Sequence, residues 1–367
     1  MSPDSAQPDL LARRVLSQRI QLRPKETVTI EAWPTALPWA NAFVRQARRI
    51  GAKPILLYDD EASYWKEVLS GGAPGLGRPG AHEWAVLEHS DVYIYFWGPE
   101  DRSRMRALPD ATQEALTAFN ARWYEVATKA GLRGLRMEIA RATEANARYY
   151  GVNLGRWERE LVTASMRNPA EFDRPSARLR RALEHGTIVR IRHPNGTDLS
   201  LALADREARS FLGRVTRETM KRRFGMLASV PTAAVVVSVD ESTAEGTIVS
   251  DRENYLPSGP VVKGAWKFSD GRLRSARYAS GGARFRGPYA MGGDGKDRPA
   301  FLEIGLDPAL RVSPELEDSE LGAITVGIGA NAGYGGKSKS SFSSWLTVRG
   351  AELSIDGTVV VKGGRVR

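Results

Sequence analysis

The chain contains no cysteine, which removes disulfides, thiolate metal sites and thiol nucleophiles as sources of stability or chemistry. Histidine is scarce: His82, His89, His185 and His193 are the complete set, and none follows Pro194. A Ser-His-Asp arrangement on Ser340, Ser341, Ser343 or Ser344 would need one of these imidazoles to reach across domains or subunits, so it is not favoured. No apolar run approaches the roughly 18 residues that a membrane span needs. "MSPDSAQPDLLARR" lacks the apolar core of a secretion signal, so the expectation is a cytoplasmic protein with no membrane partner. No GxGxxG follows the first predicted strand, so no dinucleotide and no other cofactor is indicated. Internal repeats and long low-complexity tracts are also missing.

What is there describes a globular protein. At 367 residues, with 42% hydrophobic and 26% charged, the chain is long enough for two domains with cores of their own. Lys and Arg exceed Asp and Glu by a formal charge of +10, and the densest basic text is "RPSARLRRALEHGTIVRIRHP", followed by "RETMKRR" at Arg217 to Arg223. Neither interleaves aromatics with its cations as a single-strand groove does. The reading is a solvated helix face, with no nucleic-acid partner.

Two grammars divide the sequence. The first half alternates strands and helices: "ETVTIEAW" predicts a strand over Thr27 to Trp33, "PWANAFVRQARRIG" an amphipathic helix closed by Gly51, and "KPILLYDD" and "DVYIYFWGPE" two further strands. That order implies a mainly parallel sheet in an α/β, Rossmann-like domain over 1–165. Ligands gather at the carboxyl ends of such strands, which draws attention to Trp33, Asp59, Asp60 and Trp97 to Glu100. "LRMEIARATEANARYYGVNLGRWERELVTAS" reads as helical, and 166–186 as a basic connecting segment. From Thr187 the text becomes short strands and turns, with hairpins at Asn195-Gly196 and Asp270-Gly271, predicting a β-rich α+β domain over 187–367.

In that second half "GTIVRIRHPNGTDLSLAL", "ESTAEGTIVSD", "GPVVKGAWKFSDGRL", "IGLDP", "AITVGIGANAGYGGKSKS" and "LSIDGTVVVKGG" follow one another in the order, and near the spacing, of one family. They resemble the C-terminal domain of the thermophilic metalloaminopeptidases, the aminopeptidase T and S type. The strand-helix text of the first half is similar to that family's first domain, so the resemblance runs from about Leu11 to Gly364. It implies a homodimer with an α/β and a β-rich domain. It also implies a dinuclear metal site of two glutamates, two histidines and an aspartate, in which the metals activate water and polarise a peptide carbonyl.

The ligand types are not where the resemblance would put them. Ala234 and Phe301 stand at the glutamate positions, Gly327 and Ser343 or Ser344 at the histidine positions, and Trp345 or Leu346 at the aspartate position. The resemblance then implies a divergent member without metal or other cofactor. Such a member binds, with or without transforming it, an amino-acid-derived or peptide-like small molecule in a biosynthetic or hydrolytic step. Tyr334, seven residues after Gly327, matches the family's catalytic tyrosine. Glu303 shares a strand face with Phe301 and is the candidate acid–base group, needing either a cation, Arg284 or Lys337, or a raised pKa. Lys337 and Arg284 are the candidate binding cations, and Phe301, Trp345, Ser343 and Ser344 complete the expected lining. Two other classes stay open: a non-catalytic dimeric scaffold for another enzyme, and a metallopeptidase with ligands relocated to Asp294, Asp297, Glu303 and Asp307.

Overall fold

The computed structural model describes residues 6–69, 80–96, 98–222, 225–256 and 259–367, so Trp97 lies outside the described residues. The chain forms two compact units, Met1–Pro169 with Gly213–Pro231, and Ala170–Leu212 with Thr232–Arg367.

The first unit is built on a parallel sheet. Strands β1 (Thr27–Ala32), β2 (Lys53–Tyr58), β3 (Val92–Phe96) and β4 (Arg133–Met137) take the order β2-β1-β3-β4, and Leu227–Val230 adds a fifth, parallel strand beside β4. The helix Leu37–Ile50 buries Trp39, Ala40, Phe43 and Ala47 on one side and ends at Gly51, whose φ of 89° is the left-handed geometry that glycine adopts without strain. β4 corrects the helical reading of "LRMEI". Its text lacks the β-branched residues that mark a strand, yet Leu135 and Met137 are fully buried in the sheet.

Arg19, only 2% exposed, fastens the first unit at both places where the chain leaves and returns. Its guanidinium donates to the carbonyl oxygens of Ala164 (3.0 Å), Ser165 (3.0 Å), Arg167 (2.9 Å) and Gly213 (3.1 Å). The return of Gly213–Pro231 to this unit also differs from the expected unbroken 187–367 domain.

The second unit is antiparallel. An eight-stranded sheet contains the hairpin Ile188–His193/Thr197–Ala202 around Asn195-Gly196 and the hairpin Ala265–Ser269/Arg272–Arg277 around Asp270-Gly271. A five-stranded sheet runs in the order Ser343–Val348, Ile324–Gly329, Pro299–Gly305, Ala234–Ser238, Arg209–Phe211. One apolar core draws Ile191, Leu199, Trp266 and Phe268 from the first sheet and Val235, Leu302 and Val326 from the second. The segment expected as a connection carries a helix, Asp173–His185, whose Leu179 and Leu183 enter that core while Arg174, Arg178 and Arg181 face solvent. The arginines of this helix therefore form a solvated face, whereas Arg190 and Arg192 of the same basic text lie on the strand Ile188–His193. Among the described residues no helix is long and apolar enough to cross a membrane.

Candidate functional site

The register of the five-stranded sheet decides which candidate residues meet. Directly opposed residues on neighbouring antiparallel strands share a face, and Ser238, Phe301, Gly327 and Trp345 are opposed in one row across the sheet. The next row on that face is Val236, Glu303, Thr325 and Thr347, and Ala234 opposes Gly305 one row further still. Ser343 opposes Gly329, on the face of Trp345, whereas Ser344 and Leu346 alternate to the other face. Ser344 is 1% exposed, and its hydroxyl is buried without a hydrogen-bond partner. Thus Ser344 stands apart from the group that Phe301, Glu303 and Trp345 form.

Phe301 fills the first row. Its ring lies 4.9 Å, centroid to centroid, from that of Tyr334, and Val236, Ala300 and Trp345 complete the cluster. The ring also lies close over the backbone of its neighbour: a Cβ on Gly327 would come within 2.1 Å of Phe301 Cε1. Glycine there is what lets an aromatic side chain occupy the face. Among the described residues, no group of three or more His, Asp or Glu is arranged to hold a metal ion. Three of the four acidic residues considered as relocated ligands have other partners: Asp297 pairs with Arg272 at 2.8 Å, Asp294 accepts from the Gly295 amide, and Asp307 from the Ala309 amide.

Glu303 sits one row along, 8% exposed, beside the hydrogen-bonded pair Thr325 and Thr347. Burial pushes its carboxyl well above the ordinary range, and the neighbouring acids Asp318 and Glu317 push it further. Glu317 is raised to about 8, again by burial first and Asp318 second. Burial first, and then the neighbouring acids Glu303 and Asp318, push the Tyr334 phenol above its ordinary range. On this face burial disfavours ionisation of both the Tyr334 phenol and the Glu303 carboxyl, and in their un-ionised forms both groups donate hydrogen bonds. The expected cations act elsewhere: Arg284 donates to the Pro260 carbonyl at 2.7 Å, and Lys337 is exposed.

The glycine-rich loop after Gly329 is positioned by a network that the sequence did not announce. Asn331, 1% exposed, donates to Glu241 Oε1 (2.8 Å) and to the Ala300 carbonyl (3.2 Å) and accepts from the Ser338 amide (2.9 Å). Glu241 also accepts from Arg206 (2.6 and 2.8 Å) and from the Lys337 amide (3.0 Å). Although partial burial opposes ionisation, these donors hold the Glu241 carboxyl down at about 2. The loop is wrapped on a buried amide, and this wrapping sets Tyr334 over Phe301.

A parallel-sheet α/β unit joined to a β-rich antiparallel unit is the aminopeptidase-T-like fold. AmpT (aminopeptidase T), wild type, from Thermus thermophilus matches with a TM-score of 0.75, 17% identity, and coverage of 98% of this chain and 99% of that one. The 2,5-dihydroxypyridine dioxygenase from Pseudomonas putida KT2440 matches with a TM-score of 0.66 and 16% identity, covering 100% of this chain and 98% of that one. No protein-family model and no curated protein matches the sequence. One of these structures is named for peptide hydrolysis and the other for oxygen chemistry, so the shared fold leaves the function to be argued from the side chains.

Proposed function

We propose that this protein is a metal-independent relative of the aminopeptidase-T-like proteins, acting in the cytoplasm, that binds an amino-acid-derived or peptide-like small molecule on the outer face of its five-stranded sheet. The observation that carries this reading is the Phe301 ring lying over Gly327. Aromatic carbon occupies the row where the family resemblance puts metal ligands, and neither Phe301, Gly327 nor Trp345 offers a donor that a divalent ion accepts. The residues present do not fit a dinuclear hydrolytic centre. On this reading Tyr334 and Glu303 act as hydrogen-bond donors to the bound molecule, while Phe301 and Trp345 supply apolar contact. A homodimer is part of the proposal, on the strength of the family resemblance.

Elemental analysis of the purified protein is expected to find no stoichiometric zinc, cobalt, manganese or magnesium, and chelators are expected to leave the melting temperature unchanged. One or two metal ions per chain would overturn the reading and favour relocated ligands. Light scattering is expected to give twice the 40.3 kDa chain mass. With a ligand in hand, Tyr334→Phe and Glu303→Gln should fold and bind more weakly.

A further inference from the structure

The first unit holds a cavity of about 720 Å³ over one face of its parallel sheet. Its floor is a row of opposed residues on neighbouring strands, Leu57, Glu31, Tyr95 and Arg136. Its cover is aromatic: Tyr64 and Trp65 from the helix Glu61–Leu69, Trp84 from Ala81–Glu88, and Phe119, Trp123 and Tyr124 from Asp110–Ala130. The charge in the lining is lopsided. Glu31, Asp59, Glu67 and Glu83 face one guanidinium, Arg136, which is already paired with Glu138 at 2.7 Å.

At the floor the carboxyls of Glu31 and Asp59 hydrogen-bond to each other, and Tyr93 donates its hydroxyl to Glu31. Two carboxyls in hydrogen-bond contact share a proton, because both cannot ionise there without a cation. Nearby, the indole N–H of Trp33, a residue 5% exposed that also lines the cavity, lies beside the Tyr95 hydroxyl.

We propose that this cavity binds a protonated organic amine with an apolar, aromatic-sized body, its ammonium N–H groups received by Glu31 and Asp59 and its body held among Tyr64, Trp84, Trp123 and Tyr124. An ammonium replaces the shared proton with a cation that both carboxylates can face, and aromatic faces attract the same charge. The acidic lining disfavours a carboxylate-bearing body. Burial raises the Glu31 carboxyl well above its ordinary range, with Asp59 adding to it, and burial also raises Asp59. The other titratable or charged groups that line the cavity around the pair are Tyr93 and Tyr95 from β3, Arg136 from β4, Tyr58 from β2, Tyr64 and Glu67 from the helix Glu61–Leu69, His82 and Glu83 from Ala81–Glu88, and Tyr124 from Asp110–Ala130. Amine binding therefore releases the shared proton, so affinity rises with pH until the amine itself deprotonates near pH ~10. This site lies in the first unit alone and does not depend on the reading of the β-rich unit.

The test uses the full-length protein and four probes: 2-phenylethylamine and tryptamine as cations, 2-phenylethanol as the neutral counterpart and 3-phenylpropionate as the anion. Calorimetry at pH 7 and 8.5 is expected to show saturable amine binding. Amine affinity should exceed that of the alcohol and the acid by at least about tenfold and be tighter at the higher pH. In the folded double variant Glu31→Gln, Asp59→Asn this preference for the amine should vanish. Equal affinity for cation, neutral and anion, or no saturable binding of either amine up to millimolar concentration, would overturn the proposal. The probe series on the unaltered protein separates these outcomes even if the variant fails to fold.

Discussion

Each unit carries one polar cluster on one sheet face, and the two faces treat that cluster in opposite ways. On the five-stranded sheet of the second unit, Phe301 lies on Gly327 and beside Tyr334, so apolar carbon fills the row next to Glu303. Over the parallel sheet of the first unit, Glu31 and Asp59 border a cavity of about 720 Å³. In both places burial raises carboxyl pKa values, but in the first unit the acids stand against a cavity, whereas Glu303 stands one row from the packed Phe301 and Tyr334 rings. A perturbed carboxyl alone therefore does not locate a binding site. The geometry and chemistry of the groups around it have to carry that reading.

The comparison breaks most severely if the filled row does not contribute stability. Phe301→Ala is expected to lower unfolding free energy by about 3–5 kcal/mol, from lost burial and the hole left over Gly327, measured by urea denaturation. A loss below about 1 kcal/mol would mean that the neighbouring side chains collapse into the space and that the face is not packed on this ring.

The loop anchor comes next. Glu241→Ala removes the acceptor shared by Arg206, Asn331 and the Lys337 amide and should cost roughly 2 kcal/mol, with faster amide hydrogen exchange from 331 to 338. Because the folded Glu241 carboxyl is depressed to about 2, its contribution is complete above its unfolded value near 4.5 and is lost as pH falls toward 2. The Glu317 carboxyl has the opposite sign. Raised to about 8, it contributes fully below about 4.5 and loses that contribution as pH rises through 8. Thermal melts of Glu317→Gln should be flatter than those of the parent between these limits, and an unchanged slope would show that Glu317 is ionised in the folded state.

The smallest expected effect sharpens the contrast. If Glu31 is kept for a ligand rather than for stability, Glu31→Gln should leave the ligand-free protein as stable or raise it by on the order of 1 kcal/mol. A marked loss would identify the acid pair as structural.

Much of the architecture was legible in the sequence because its signals are local. β-Branched runs mark β1 and β3, helical spacing ended by Gly51 marks Leu37–Ile50, and Asn195-Gly196 and Asp270-Gly271 mark their hairpins. β4 was not legible, since "RGLRM" is made a strand by burial between neighbours rather than by its own residues. At the candidate site, strand alternation joined Glu303 to Phe301, and Trp345, expected there from the resemblance, shares their face in the observed register. The acids that act on Glu303 could not be read, because Glu317 and Asp318 lie in irregular chain with no periodicity. Trp33 and Asp59 were legible as strand ends. Glu31 was not: one charge inside "TVTIEA" looks like an outward-facing residue until the helices over that face are known.

The clasp made by Arg19 has a consequence for the order in which the protein can be completed during synthesis. The strand that finishes the parallel sheet, Leu227–Val230, is translated only after the helix Asp173–His185 and the first hairpin of the other unit. Until then one edge of β4 has no strand to pair with, and the Arg19 guanidinium lacks its Gly213 acceptor. A nascent chain ending near Pro169 therefore exposes an open sheet edge, a template for pairing with other chains, so the first unit is not an excisable module and matures only once the ribosome has read well into the second.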